Sequence, residues 1–192
     1  MPVFTFYNYQ PIYFDFSDNN EHVNFVAKPY PSLISVFDLP SQIHNISIHL
    51  YGLQAEFLNN LTILLVSPDL RSNLILLNAI GNNLKPQRFV DISIIDQAPV
   101  MSKNTSLLNN SSYHPTSYAN LSFLPPLSPF PPYFHSLPYG NYSIKSAFID
   151  TNINLNGNWA LYVFSSGTPI SFSINGGWSI SFYTPFNDNS IE

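Results

Sequence analysis

The sequence predicts an all-β domain, a β-sandwich or jelly roll of about eight or nine strands, and three observations carry that prediction. Apolar and polar residues alternate strictly in several separate runs, the period of a half-buried strand. No stretch longer than two turns keeps a helical apolar stripe free of proline or an Asn-Gly break. The composition is that of neutral polar surfaces around an aromatic core. Of 192 residues, 16% are aromatic, 17 are proline and 9% are charged, where about a quarter is usual for charge.

The first firm strand, in chain order, has Ile46, Ile48 and Leu50 facing one way and Asn45, Ser47 and His49 the other. Leu61–Val66 (LTILLV) is apolar almost throughout and reads as a central strand. Val90, Ile92 and Ile94 alternate with Asp91 and Ser93, and Trp159, Leu161 and Val163 with Ala160 and Tyr162. Ile170, Phe172 and Ile174 alternate with Ser171 and Ser173, and Trp178, Ile180 and Phe182 with Ser179 and Ser181. Between these last two runs, Asn175-Gly176-Gly177 lets the chain turn or bulge, because glycine accepts positive φ. Both tryptophans alternate in phase with aliphatic residues, which assigns them to the core rather than to a sugar platform.

Two regions fall outside the pattern. Residues 1–22, rich in Phe and Tyr, read as an N-terminal arm ahead of a single domain over 23–186, with 187–192 as a tail. Residues 99–141 hold most of the proline, including LPPLSPFPPYFHSLPYG at Leu124–Gly140. They read as an insertion whose aromatic content argues against simple disorder.

Composition also narrows function. A net charge of −5, with its six scattered Lys and Arg, argues against nucleic acid as a partner, since a backbone-tracking site needs clustered cations. Cysteine is absent, which removes disulfides, thiolate nucleophiles and zinc ribbons. No segment has transmembrane length, and the N-terminus shows neither the basic residue nor the apolar run of a signal peptide. The expectation is an extracellular or surface-associated protein that lost a leader before this numbering begins or reaches the outside without one.

The motifs appear in an informative order. YPSLISVFDLP (Tyr30–Pro40) is followed by IHNISIHLYGL (Ile43–Leu53), FLNNLTILLVSPDL (Phe57–Leu70) and FVDISIIDQAP (Phe89–Pro99). The chain ends with AFIDTNINLNGNWALYVFSSG (Ala147–Gly167) and INGGWSISF (Ile174–Phe182). This series resembles the P domain of subtilisin-like proprotein convertases and the bacterial P-domain-like surface modules, over roughly residues 28–183. The resemblance implies a jelly roll of the galactose-binding-like kind. It also implies calcium as a cofactor, at positions that here hold Asn59, Asn60 and Asp96. These offer oxygens but a single carboxylate, where calcium prefers six to eight oxygens with several carboxylates among them. The residues themselves favour a solvated loop.

Catalytic patterns are missing. There is no GxSxG elbow, and the Asp, His and Ser blocks of the subtilases are absent. The five histidines (His22, His44, His49, His114, His135) show no metal-binding spacing. His114 and His135 read as structural, and His49 as exposed on a polar strand face. An enzyme is not expected. The candidate interface residues are instead the arm aromatics Phe4, Phe6, Tyr7 and Tyr9 and the loop aromatics Phe130, Tyr133, Phe134 and Tyr139. Seven glycosylation sequons occur, at Asn45, Asn60, Asn104, Asn109, Asn110, Asn120 and Asn141. Those at Asn104, Asn109, Asn110, Asn120 and Asn141 are the accessible candidates, used only in a glycosylating compartment.

Three readings follow. The first is a non-enzymatic structural subunit that associates with itself as an oligomer or filament, through the arm or the Pro/aromatic loop. The second is an accessory module that binds a glycan or a surface protein through loops at one end of the sandwich. The third is a stabilising partner of a separate protease, which rests on the family resemblance.

Overall fold

Where the sequence alternates with period two, the backbone extends and pairs. The computed structural model describes residues 2–15, 24–81, 86–104, 106–119, 143–166 and 170–185. In chain order the strands are β1 (Val3–Asn8), β2 (Ile12–Tyr13), β3 (Asn24–Val26), β4 (Ser32–Val36), β5 (Asn45–Ala55), β6 (Leu61–Val66) and β7 (Asn73–Asn78). They continue with β8 (Gln87–Ile94), β9 (Ser111–Tyr113), β10 (Thr116–Ser117), β11 (Gly157–Ser166), β12 (Phe172–Ile174) and β13 (Trp178–Tyr183). They form a sandwich of a seven-stranded sheet A and a six-stranded sheet B.

Several of these strands are halves of longer ones. β12 and β13 both run antiparallel to β5, and β1 and β2 both run antiparallel to them in turn. Across sheet A the order is β1/β2, β12/β13, β5, β8, β9; across sheet B it is β3/β4, β11, β6, β7, β10. The Asn175-Gly176-Gly177 stretch is therefore a bulge. Ile174 faces Leu53 and Trp178 faces Leu50, so four steps on one strand answer three on the other.

The inner faces make one core. Ile46, Ile48 and Leu50 of β5 meet Ile92 and Ile94 of β8, Trp178, Ile180 and Phe182 of β13 and Trp159, Leu161 and Val163 of β11. Trp178 Nε1 donates to Ser32 Oγ at 3.0 Å and Trp159 Nε1 to the Leu155 carbonyl at 2.9 Å, so neither indole leaves its donor unpaired. As expected, β6 is central in sheet B and buried along its whole length.

Three local features depart from the sequence reading. Residues 3–8 and 12–13 of the arm are edge strands of sheet A, with Phe4 and Phe6 packed on the core. β11 is not half-buried. Its outer residues Ala160, Tyr162 and Phe164 join Leu64, Val66 and Ile75 in a second cluster outside sheet B, with Tyr30 packed edge-on to Tyr162 at 5.1 Å. A π-helical turn, Lys145–Ile149, precedes β11 and brings Phe148 against Trp159.

β1/β2 and β3/β4 lie on the same side of the sandwich. At its β2 half the two sheet edges close on each other: Tyr13 and Lys28 exchange main-chain hydrogen bonds of 3.1 and 2.7 Å, and Lys28 Nζ lies 3.0 Å from Asp15 Oδ2. Along β1 the sheets stay distinct, tied by side chains alone. Asn8 Nδ2 donates to Ser32 Oγ and to the Leu33 carbonyl, and the rings of Phe6 and Phe37 meet at 5.3 Å.

Candidate functional site

β1 (VFTFYN) pairs with β13 in antiparallel register, Val3 opposite Tyr183, Thr5 opposite Ser181 and Tyr7 opposite Ser179. Phe4 and Phe6 turn inward; Val3, Thr5 and Tyr7 turn outward. Among the described residues β1 has no pairing partner on its other edge. The strand carries no charge and no internal proline, and monomeric proteins blunt exposed edges with these devices.

The surroundings are apolar as well. Among the described residues ten large apolar side chains are exposed, and seven of them belong to β1–β4 and their connections: Val3, Tyr7, Tyr9, Tyr13, Val26, Leu33 and Phe37. Exposure reaches 71% for Tyr9 and 62% for Phe37. Scattered exposed apolar residues are ordinary, but a concentration on one side marks a contact surface. A cleft of about 340 Å³ opens beside the start of β1, walled by Pro2, Phe4, Pro40 and Pro185.

Behind this edge, the outer face of sheet A is a field of hydroxyls. Thr5 Oγ1 and Ser181 Oγ are 2.9 Å apart, Tyr51 OH and Ser179 Oγ 2.8 Å, and Ser47 Oγ and Tyr183 OH 3.2 Å. His49 sits between two serines, Nε2 3.0 Å from Ser47 Oγ and Nδ1 2.8 Å from Ser93 Oγ. Burial holds its imidazole below the ordinary range and Tyr51 above its own. A Ser-His nucleophile pair orients its imidazole with a carboxylate on the second nitrogen; here that position is Ser93. Ser47, Ser179 and Ser181 lie nearly buried although they point outward, while Ser93 is half-buried; Tyr7 and Tyr9, stacked at 5.3 Å, and Tyr51 lie on the same face.

The proposed calcium positions are not brought together. Asp96 follows β8, whose Ile94 lies opposite Ile48 near the start of β5, whereas Asn59 and Asn60 form a 3₁₀ turn beyond its end. Roughly 30 Å of strand separates them at about 3.3 Å per residue. Asp96 has structural work: Oδ1 accepts from Ile144 N at 2.6 Å and Oδ2 from Lys145 N at 2.9 Å, capping the π turn. His114 Nδ1 lies 2.9 Å from the Asp96 main-chain carbonyl oxygen, not from its carboxylate. Among the described residues no group of three or more His, Cys, Asp or Glu gathers for a metal ion.

Of the sequons, Asn104, Asn109 and Asn110 are exposed, and Asn109 Oδ1 accepts from Asp91 N at 2.8 Å. Asn45 opens β5 and donates to Gln97 Oε1 at 3.2 Å. Phe130, Tyr133, Phe134, Tyr139, His135, Asn120 and Asn141 lie outside the described residues. The cluster of Ser47, His49, Ser93, Ser179 and Tyr51 escaped the sequence reading, because serines and a histidine alternating on strands look like ordinary solvent-facing positions. Among the described residues no helix is long and apolar enough to cross a membrane. Compared with protein-family models, with curated proteins and with solved structures, the chain matches none.

Proposed function

We propose that the protein is a non-enzymatic extracellular or surface structural subunit, a P-domain-like jelly-roll body that associates with copies of itself. The observation that carries this reading is β1, an uncharged edge strand flanked by exposed Val3, Tyr7, Tyr9 and Phe37. Main-chain hydrogen bonds across such an edge supply affinity, and the alternate side chains supply specificity. The strand order supports the jelly roll. Taking β1/β2, β3/β4, β5, β6, β7, β8, β11 and β12/β13 as eight long strands, sheet A runs first, eighth, third, sixth and sheet B second, seventh, fourth, fifth. Two interleaved Greek keys produce that order.

The test is light scattering and negative-stain electron microscopy of the full chain across a wide concentration range. Oligomers, rings or filaments that dissociate on dilution are expected; monodisperse monomers at every concentration overturn the reading. A second reading, binding of a neutral glycan or surface protein, is favoured by the Tyr7, Tyr9 and Tyr51 face with its serine floor, since tyrosine and serine surfaces adapt to many polar partners. A glycan array and a pull-down probed with folded protein check it, and silence in both removes it.

A further inference from the structure

Resting on the self-association reading, we infer the geometry of the contact: β1 pairs antiparallel with β1 of a second copy about a twofold axis through Thr5, joining two A sheets into one. The residues of β1 read almost the same in both directions about that point, Val3-Phe4-Thr5-Phe6-Tyr7. An isologous contact demands such self-complementarity, because each residue must suit both its own place and the place it faces. In this register Val3 faces Tyr7 of the copy, Phe4 faces Phe6, and Thr5 faces Thr5. Aromatic with β-branched, aromatic with aromatic, and threonine with threonine are the cross-strand pairings that stabilise antiparallel ribbons.

The alternatives fit less well. Shifting the axis by one residue to Phe4 sets Pro2 against Phe6, and shifting it to Phe6 sets Asn8 against Phe4. A parallel arrangement lacks the two-way match. The β2 half of the same side is already closed by Lys28, and at β4 the Leu33 carbonyl is taken by Asn8. Among the described residues β1 is thus the longest strand on this side with an unpaired edge. The strand itself brings no charge to the contact, as Val3–Asn8 holds no ionisable group other than a tyrosine. A specific dimer buries about 800 Å² per partner, more than a six-residue edge provides, and the exposed rings of Tyr9 and Phe37 beside it extend the patch.

The absence of cysteine makes the register directly measurable. Facing residues on antiparallel strands have Cα atoms about 4.5–5.5 Å apart, within disulfide range. The Thr5→Cys variant is expected to cross-link to itself under mild oxidation. Val3→Cys and Tyr7→Cys, kept apart, do not cross-link, since each lies roughly 13 Å from its own copy; mixed, they cross-link to one another. Thr5→Lys, which sets two ammonium groups face to face, is expected to stay folded by tryptophan fluorescence and to lose the dimer. Association that persists while the Thr5→Cys variant stays uncross-linked overturns this register and leaves self-association standing. A wild-type chain that is monomeric throughout overturns both.

Discussion

Gly177 shows how tightly single residues hold this sandwich. Its φ is +72° and a Cβ there would fall inside the main chain of Asn8 and Tyr9, so the end of β1 lies directly on it. Gly52 also has positive φ, yet a Cβ would meet Asn175 at an ordinary 3.5 Å. Left-handed strain alone costs about 1–2 kcal/mol, and forcing atoms into filled space adds about 1–3 kcal/mol. Urea unfolding of Gly177→Ala should therefore show a clearly larger loss than Gly52→Ala. His49 supplies a second residue-scale prediction. Burial depresses its pKa in the folded chain, so the unfolded chain binds the proton more readily. The contribution of His49 to stability is then fully present above about pH 6.5, the unfolded value, and declines as pH falls from there toward the folded value. The His49→Gln variant should flatten the change in urea midpoint between about pH 7.5 and pH 5.5.

Among the elements, the π turn depends on a carboxylate far from it in sequence. Asp96 accepts from the main-chain nitrogens of Ile144, which is buried, and Lys145. Hydrogen bonds to a charged group contribute about 1.5–3 kcal/mol, so Asp96→Ala should lower stability by that order in thermal or urea unfolding. With both carboxylate oxygens engaged and Asn59 and Asn60 at the other end of β5, added calcium or a chelator should leave the melting temperature of the wild type unchanged. The Asp96 cap was illegible because its partners lie 48 and 49 positions along the chain, while a lone acid in a turn looks solvated. Most strands were legible, since a serine or asparagine between two aliphatic residues marks a face; β5, β8 and β13 follow that pattern. The strand character of β1 was legible but its place in this domain's own sheet was not, because its outward residues Val3, Thr5 and Tyr7 offer little contrast in polarity to Phe4 and Phe6. The same lack of contrast makes it an edge suited to being covered. Its aromatic density did single out Phe4, Phe6, Tyr7 and Tyr9, but not that the first pair packs on the core while the second faces out.

On the scale of the whole molecule, an isologous β1 contact closes on itself, so it yields pairs and no more. Growth into a filament needs a contact on another face, and Phe89, Val100 and Leu108 are exposed on or beside β8 and β9, across the sandwich from β1. The proposed contact and the fold share β1, which decides how either is measured. Removing residues 1–22 takes away β1 and β2 together with Ile12 and Phe14, both buried, and the core contacts of Phe4 and Phe6. Fully burying a large apolar side chain stabilises by about 1.5–3 kcal/mol, so Ile12 and Phe14 alone contribute about 3–6 kcal/mol, a large share of the roughly 5–15 kcal/mol of a typical domain, and the partly buried Phe4 and Phe6 add to it. A chain beginning at Val23 should accordingly melt far below the full-length protein and aggregate, with Trp178 and Phe182 left on an uncovered strand. Thr5→Lys alters the edge and leaves these contacts in place, so its urea midpoint should stay close to that of the wild-type monomer. Equal stability of the truncated and full-length chains would return residues 1–22 to the status of a dispensable arm.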